Sequence, residues 1–196
     1  MEIQSFTEGS YYHIYNRGVN GENIFFEDKN YDYFIRKYEE YCADILDTFA
    51  YCLLKNHFHL LVFVKENVQV PRRDGKGIFT LSASRQLSHF FNAYAQAINK
   101  MYHRTGPLFE SPFERVRVED KAYAKQLVSY IHCNPQLHGF TDNFQSWPFS
   151  SHSYYSTPYE KAFIKSGEVM DWFGSKTAFD EAHKNQIRSM EESFAT

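Results

Sequence analysis

His57 and His59 flank Phe58 and lead into the apolar run Leu60-Leu61-Val62-Phe63-Val64. In an extended strand side chains alternate faces, so the two imidazoles point one way and Phe58 the other. Two imidazoles on one strand face can hold a metal ion, provided a third ligand arrives from elsewhere. The stretch Tyr130-Ile131-His132-Cys133-Asn134-Pro135 offers one. Helical spacing places Tyr130 and Asn134 on one face, one turn apart. The Asn134 amide oxygen is a hard donor. Two imidazoles, one amide oxygen and open positions suit Mg²⁺ or Mn²⁺, and Zn²⁺ less well because no thiolate is offered. A phenol has an ordinary pKa near ~10, and a nearby cation both lowers that pKa and withdraws charge from a phosphate. His57, His59, Asn134 and Tyr130 thus read as ligands and nucleophile of a site that attacks a phosphodiester. Taken singly, each has a plainer reading as a strand-end polar residue, a core aromatic or a helix end.

Several elements must hold these residues in place. Ser10 to Arg17 reads as a first strand, with His13, Tyr15 and Arg17 on one face, closed by Gly18 and a polar turn. A helix capped by Asp28 follows, with Tyr31, Phe34, Ile35, Tyr38 and Tyr41 at helical spacing. Thr48 to Leu54 forms a second strand, and Lys55-Asn56 turns it into the His-Phe-His strand as an antiparallel hairpin. Lys65 to Lys76 lacks periodicity and reads as an exposed basic loop. A long helix from about Ser82 to His103 buries Leu87, Phe90, Phe91, Tyr94, Ile98 and Met101. Phe109 to Val118 resumes strand character, with Arg115 and Arg117 on one face and Val116 and Val118 on the other. The next helix begins at Lys121 behind Glu119-Asp120, and Pro135 is expected to stop it at or before Asn134. A last amphipathic stretch lies near Lys176 to Phe194. Two split β-α-β units in this order make an α+β fold, a ferredoxin-like antiparallel sheet with helices on one face. Residues 1–150 are expected to form the catalytic domain and 151–196 a partly helical C-terminal extension.

The chain's 196 residues suffice for a sizeable core, and its composition is that of a folded protein, with 18% aromatic residues. No apolar run reaches the length of a membrane span and no leader pattern opens the sequence. Cys42, Cys52 and Cys133 are scattered and odd in number, which fits buried thiols in a reducing cytoplasm. The net charge of −3 hides an asymmetry: Lys55 to Lys125 carries 12 Lys and Arg against 6 Asp and Glu, leaving 9 against 18 elsewhere. Positive charge therefore gathers in the third of the chain that holds the His pair, as a phosphate footprint would. Arg72, Arg73, Lys76, Arg115, Arg117, Lys121 and Lys125 are candidates for phosphate contacts, and His13, Tyr15 and Arg17 for an unpaired base.

The His57-Phe58-His59 and Tyr130 to Pro135 stretches resemble the paired motifs of the HUH single-strand DNA transposases. More narrowly, they resemble the single-tyrosine IS200-like branch called REP-associated tyrosine transposases. Four further pieces appear in the same order: His13 to Gly18, Tyr51 to Asn56, Gly106 to Glu110 and Trp147 to Ser151. Together they cover roughly residues 10 to 155. The resemblance implies that Tyr130 cleaves single-stranded DNA near a hairpin, leaving a 5′-phosphotyrosine link and a free 3′-hydroxyl, with rejoining by reversal. It implies His57, His59 and Asn134 as ligands of Mg²⁺ or Mn²⁺, hairpin-bearing single-stranded DNA as partner, and a monomer or a homodimer. The stretch Lys65 to Thr80 is longer than such a protein needs, and His132 and Cys133 stand where apolar residues are common. Two other functions fit the same residues: a domesticated hairpin-DNA binder without turnover, and a His-x-His phosphodiesterase that leaves Tyr130 unused.

Overall fold

The computed structural model describes residues 5–71, 76–155 and 163–194. Along the chain run β1 (Ser10–Arg17), α1 (Asp28–Cys42), β2 (Leu46–Leu53), β3 (His57–Val64), β4 (Gln69–Pro71) and β5 (Ile78–Thr80). Then follow α2 (Ala83–Met101), β6 (Glu114–Val118), α3 (Lys121–Leu137), α4 (Ser166–Phe173) and α5 (Lys176–Phe194). The main sheet is four-stranded and antiparallel in the order β2-β3-β1-β6, the arrangement expected of two split β-α-β units. Among the described residues no helix is long and apolar enough to cross a membrane.

Both faces of β3 are buried along most of its length, so both must be covered. Phe58 meets Phe34 of α1 and Phe91 of α2, whereas its neighbour His59 meets Tyr130 of α3. The two helices of the β-α-β units thus share one face as expected, and α3 takes the other. Phe58 is fully buried, and truncating it to Ala would cost about 3–5 kcal/mol. At the end of β1, Gly18 has no room for a side chain: a Cβ there would lie 2.0 Å from the Glu22 carbonyl oxygen.

Several boundaries differ from expectation. The cap of α1 is Glu27, not Asp28, because Glu27 and Asn30 exchange backbone and side-chain hydrogen bonds in a capping box. Met101 is 51% exposed, the buried stripe of α2 ending one turn earlier at Ile98. Strand β6 begins at Glu114, since the preceding segment contains Pro107 and Pro112 and Phe109 makes only an isolated bridge to Gly18. The segment read as a loop from Lys65 to Lys76 holds β4, which pairs with β5 just beyond it as a two-stranded ribbon. Helix α3 runs through Pro135 to Leu137. Proline this near a helix end removes one hydrogen bond at most, and burial of the whole run from Ile131 to Pro135 outweighs it. The stop comes at Gly139, whose φ of +69° suits a glycine after a helix.

The segment beyond residue 148 lines the free edge of β2. Leu53 N–H donates to Phe149 O at 2.9 Å and Lys165 N–H to Thr48 O at 2.8 Å. Trp147 Nε1 donates to Leu53 O at 2.9 Å, and the Tyr155 hydroxyl donates to Phe49 O. Helix α5 then packs on α3.

Candidate active site

Strand pairing sets the first half of the site. Tyr15 lies opposite His59, Arg17 opposite His57 and His13 opposite Leu61, so all share the sheet face that α3 covers. His13 Nε2 and His59 Nδ1 are 3.0 Å apart. His57 Nδ1 is 2.8 Å from Asn56 Oδ1, which can only accept, so His57 donates from Nδ1 and its Nε2 keeps a lone pair. Burial, then the neighbouring His138, pushes His57 down to about 4, with the Asn134 side chain opposing. Burial alone takes His13 to about 4, and burial and then His13 take His59 well below its ordinary value. All three rings are therefore neutral near pH 7, the form in which imidazole binds a metal.

Helix α3 brings the second half. The Tyr130 ring stands edge-on to His59 at 5.6 Å between centroids and to His13 at 6.3 Å. Asn134 is fully buried and its Nδ2 donates to Tyr130 O at 2.9 Å, which turns Oδ1 away from the helix. That oxygen is buried and, because the one N–H of neutral His57 goes to Asn56, it has no hydrogen-bond partner, although it stands close enough to His57 to accept from the protonated ring. A buried, unpaired carbonyl oxygen costs free energy unless something positive meets it. Among the described residues no three His, Cys, Asp or Glu side chains converge as a metal site. Two neutral imidazoles and one orphaned amide oxygen make a donor set that Mg²⁺ or Mn²⁺ would fit.

His57, His59 and Tyr130 line an open cleft of about 620 Å³, which also takes in Tyr15, Arg17 and His138, while Asn134 lies buried behind it. His138, the residue that caps α3, has its ring 4.9 Å from that of His57. The sequence signal for it is weak, because its place in the cleft depends on α3 continuing past Pro135. Burial raises the Tyr15 phenol, helped by Glu114, Tyr130 and Tyr123 nearby. His13, proposed to meet a base, is buried and holds His59 instead.

The basic residues do not gather here. Arg17 reaches the cleft but its Nε pairs with Glu110 at 2.8 Å, and Glu114 adds a second carboxylate. Arg115 and Arg117 lie opposite Ile14 and Tyr12 in register, hence on the sheet face away from His59. Arg115 stacks on Phe6 and Phe113 there. Lys121 and Lys125 point at Trp172 and Phe173 of α4. Lys76 is exposed before β5 and does not line the cleft, and Arg72 and Arg73 lie outside the described residues.

No family model matches the chain. Over 118 residues it is 29% identical to a Haemophilus influenzae protein named as a candidate REP-associated tyrosine transposase, covering 58% of this chain and 64% of that one. This chain thus spans just under two thirds of that relative's length. It superposes on the solved structure of a REP-associated tyrosine transposase bound to a REP hairpin with a TM-score of 0.63. That match covers 84% of this chain and 96% of the other at 12% identity, a likeness of fold. A bacterial tRNA(His) guanylyltransferase-like protein in complex with GTP reaches a TM-score of only 0.37 and carries no argument.

Proposed function

We propose that this chain, a relative of the REP-associated tyrosine transposases, is a metal-dependent transferase of single-stranded DNA that acts beside hairpins. The observation that carries the reading is the meeting of Tyr130 from α3 with His57 and His59 from β3 in one open cleft, with the buried Asn134 side chain beside His57 and its oxygen left unpaired. A Mg²⁺ or Mn²⁺ ion bound by His57, His59 and Asn134 would draw charge from the scissile phosphate and favour the phenolate.

The chain's own residues do the rest. Asn56 fixes His57 with its Nε2 lone pair free, and His13 restrains His59. The Tyr130 oxygen gives up its proton and bonds to phosphorus while the bond to the 3′-oxygen breaks. The 3′-oxygen takes up a proton, leaving a 3′-hydroxyl and a 5′-phosphotyrosine link. Reversal with another 3′-hydroxyl rejoins a strand, so no external energy source enters. The hairpin partner rests on the likeness to a protein solved with such a hairpin.

The test incubates the full chain with single-stranded hairpin oligonucleotides and Mn²⁺ or Mg²⁺, followed by a denaturing gel. A covalent protein–DNA band that chelator abolishes, and that Tyr130→Phe and His57→Ala lack, is expected. Binding without a band points to a hairpin binder, and cleavage that survives Tyr130→Phe points to a hydrolase.

A further inference from the structure

Helix α3 is loaded on two sides. Tyr130 and Asn134 face the sheet, and His132, about 200° around the helix from Tyr130, faces the segment beyond residue 148. His132 is fully buried, as is Ser151. His132 Nε2 is 2.8 Å from Ser151 Oγ, and its Nδ1 is 2.9 Å from His183 Nε2 on α5. His183 Nδ1 in turn is 2.7 Å from the Phe179 carbonyl.

The end of this chain fixes its direction. A carbonyl only accepts, so His183 donates from Nδ1 and, when neutral, carries a lone pair on Nε2. That lone pair takes the Nδ1–H of His132, whose own Nε2 then faces the Ser151 hydroxyl at 2.8 Å, nearer than the Tyr51 carbonyl at 3.2 Å that the same proton can also reach. Ser151 Oγ accepts the Tyr51 N–H at 2.8 Å, which ties the chain to β2. The next residue, Cys52, lies opposite His59 in the sheet. The polarity is that of a serine hydrolase triad, but a serine with no exposed surface reaches no substrate. What such a chain can do is fix α3 against the rung of the sheet that carries His59.

We propose that Ser151, His132 and His183 are positioning residues that set Tyr130 and Asn134 against the His57–His59 pair, so that α5 belongs to the scaffold of the active site. This rests on the transferase reading above. Tyr130 and Asn134 reach the ligand pair only if α3 holds its rotation and height over β3, and a misplacement of about 1 Å can cost on the order of 100-fold in rate.

The test compares the full chain with His183→Leu, His183→Gln and the double variant His132→Leu/His183→Leu. Gln at 183 keeps an acceptor for His132, and the double variant replaces both partners by apolar groups, a change close to neutral for stability. At saturating hairpin oligonucleotide and Mn²⁺, His183→Leu should slow covalent capture about 10-fold or more with an unchanged half-saturation concentration. His183→Gln should restore most of the rate, and the double variant should stay slow while melting near the parent temperature. Parent-like rates in His183→Leu or the double variant, or losses that merely track the unfolded fraction, would overturn the proposal. If the parent itself forms no adduct, the transferase reading fails, and positioning is then judged by NMR alone. The Tyr130 ring and Asn134 amide resonances should shift in His183→Leu and return in His183→Gln; unmoved resonances would sink the proposal.

Discussion

Helix α3 separates two histidine clusters that share a residue type and differ in what their nitrogens are left with. On the cleft side, His13, His57 and His59 each spend one nitrogen on a protein partner, and the second nitrogen of His57 stays available. On the far side, both ring nitrogens of His132 and of His183 are engaged, in a sealed chain that ends on a backbone carbonyl. Each cluster also holds one buried polar atom without a partner: Asn134 Oδ1 in the first, His152 Nε2 in the second. Burial lowers the pKa in both clusters, so a depressed histidine by itself does not identify the chemistry. What distinguishes the first cluster is that it borders an open cleft.

The comparison can be broken in four places. Tyr130→Phe should abolish covalent capture, a loss of more than about 1000-fold, while thermal melting stays at the parent value. Capture at parent rates would transfer the chemistry away from α3. Acid comes next. Burial, the leading cause for each, holds His152 and His183 at about 4 in the folded chain, against 6.5 ordinarily. The unfolded chain therefore takes up protons first as pH falls. The stability contributed is complete above about 6.5 and lost between there and about 4, on the order of a few kcal/mol together. Urea midpoints at pH 7.5, 5.5 and 4.5 check this, and a flat profile contradicts the sealed cluster.

Smaller effects sharpen the contrast. Asn56→Ala removes the acceptor that orients His57, and Mn²⁺ affinity measured by calorimetry should fall about 10-fold. The same substitution should leave the melting temperature of the metal-free chain nearly unchanged. His152→Leu deletes the orphaned nitrogen of the sealed cluster and should raise stability by up to about 1 kcal/mol in urea titrations. A marked loss would show that His152 has a partner after all.

The strands and the shared face of His57 and His59 are legible because their determinants are local. Alternation and Gly18 delimit β1 at Ser10 and Arg17, and His-x-His declares its own face. The four-residue step from Tyr130 to Asn134 needs only a helix to work. Features that depend on pairing were hidden. Arg115 and Arg117 share a face in any register, but only the alignment of β6 with β1 decides which face, and it turns them away from His59. The hydrogen bond from His132 to His183 spans 51 positions and left no periodicity to find. His138 enters the cleft because tertiary burial carries α3 past Pro135, against the local preference of the residue before proline.

The occupied outer edge of β2 also bears on how copies of this chain can meet. Residues Phe149 and Lys165 bond the outer side of that strand, so a foreign strand finds few backbone groups there to pair with. Among the described residues the opposite edge, β6, is the side of the main sheet left unpaired. Its sequence Glu114-Arg115-Val116-Arg117-Val118 sets charge at three of five positions, a pattern that discourages edge-to-edge aggregation. Accretion through the sheet is thereby confined to a short charged margin, and that margin adjoins the histidine-lined cleft through Glu114.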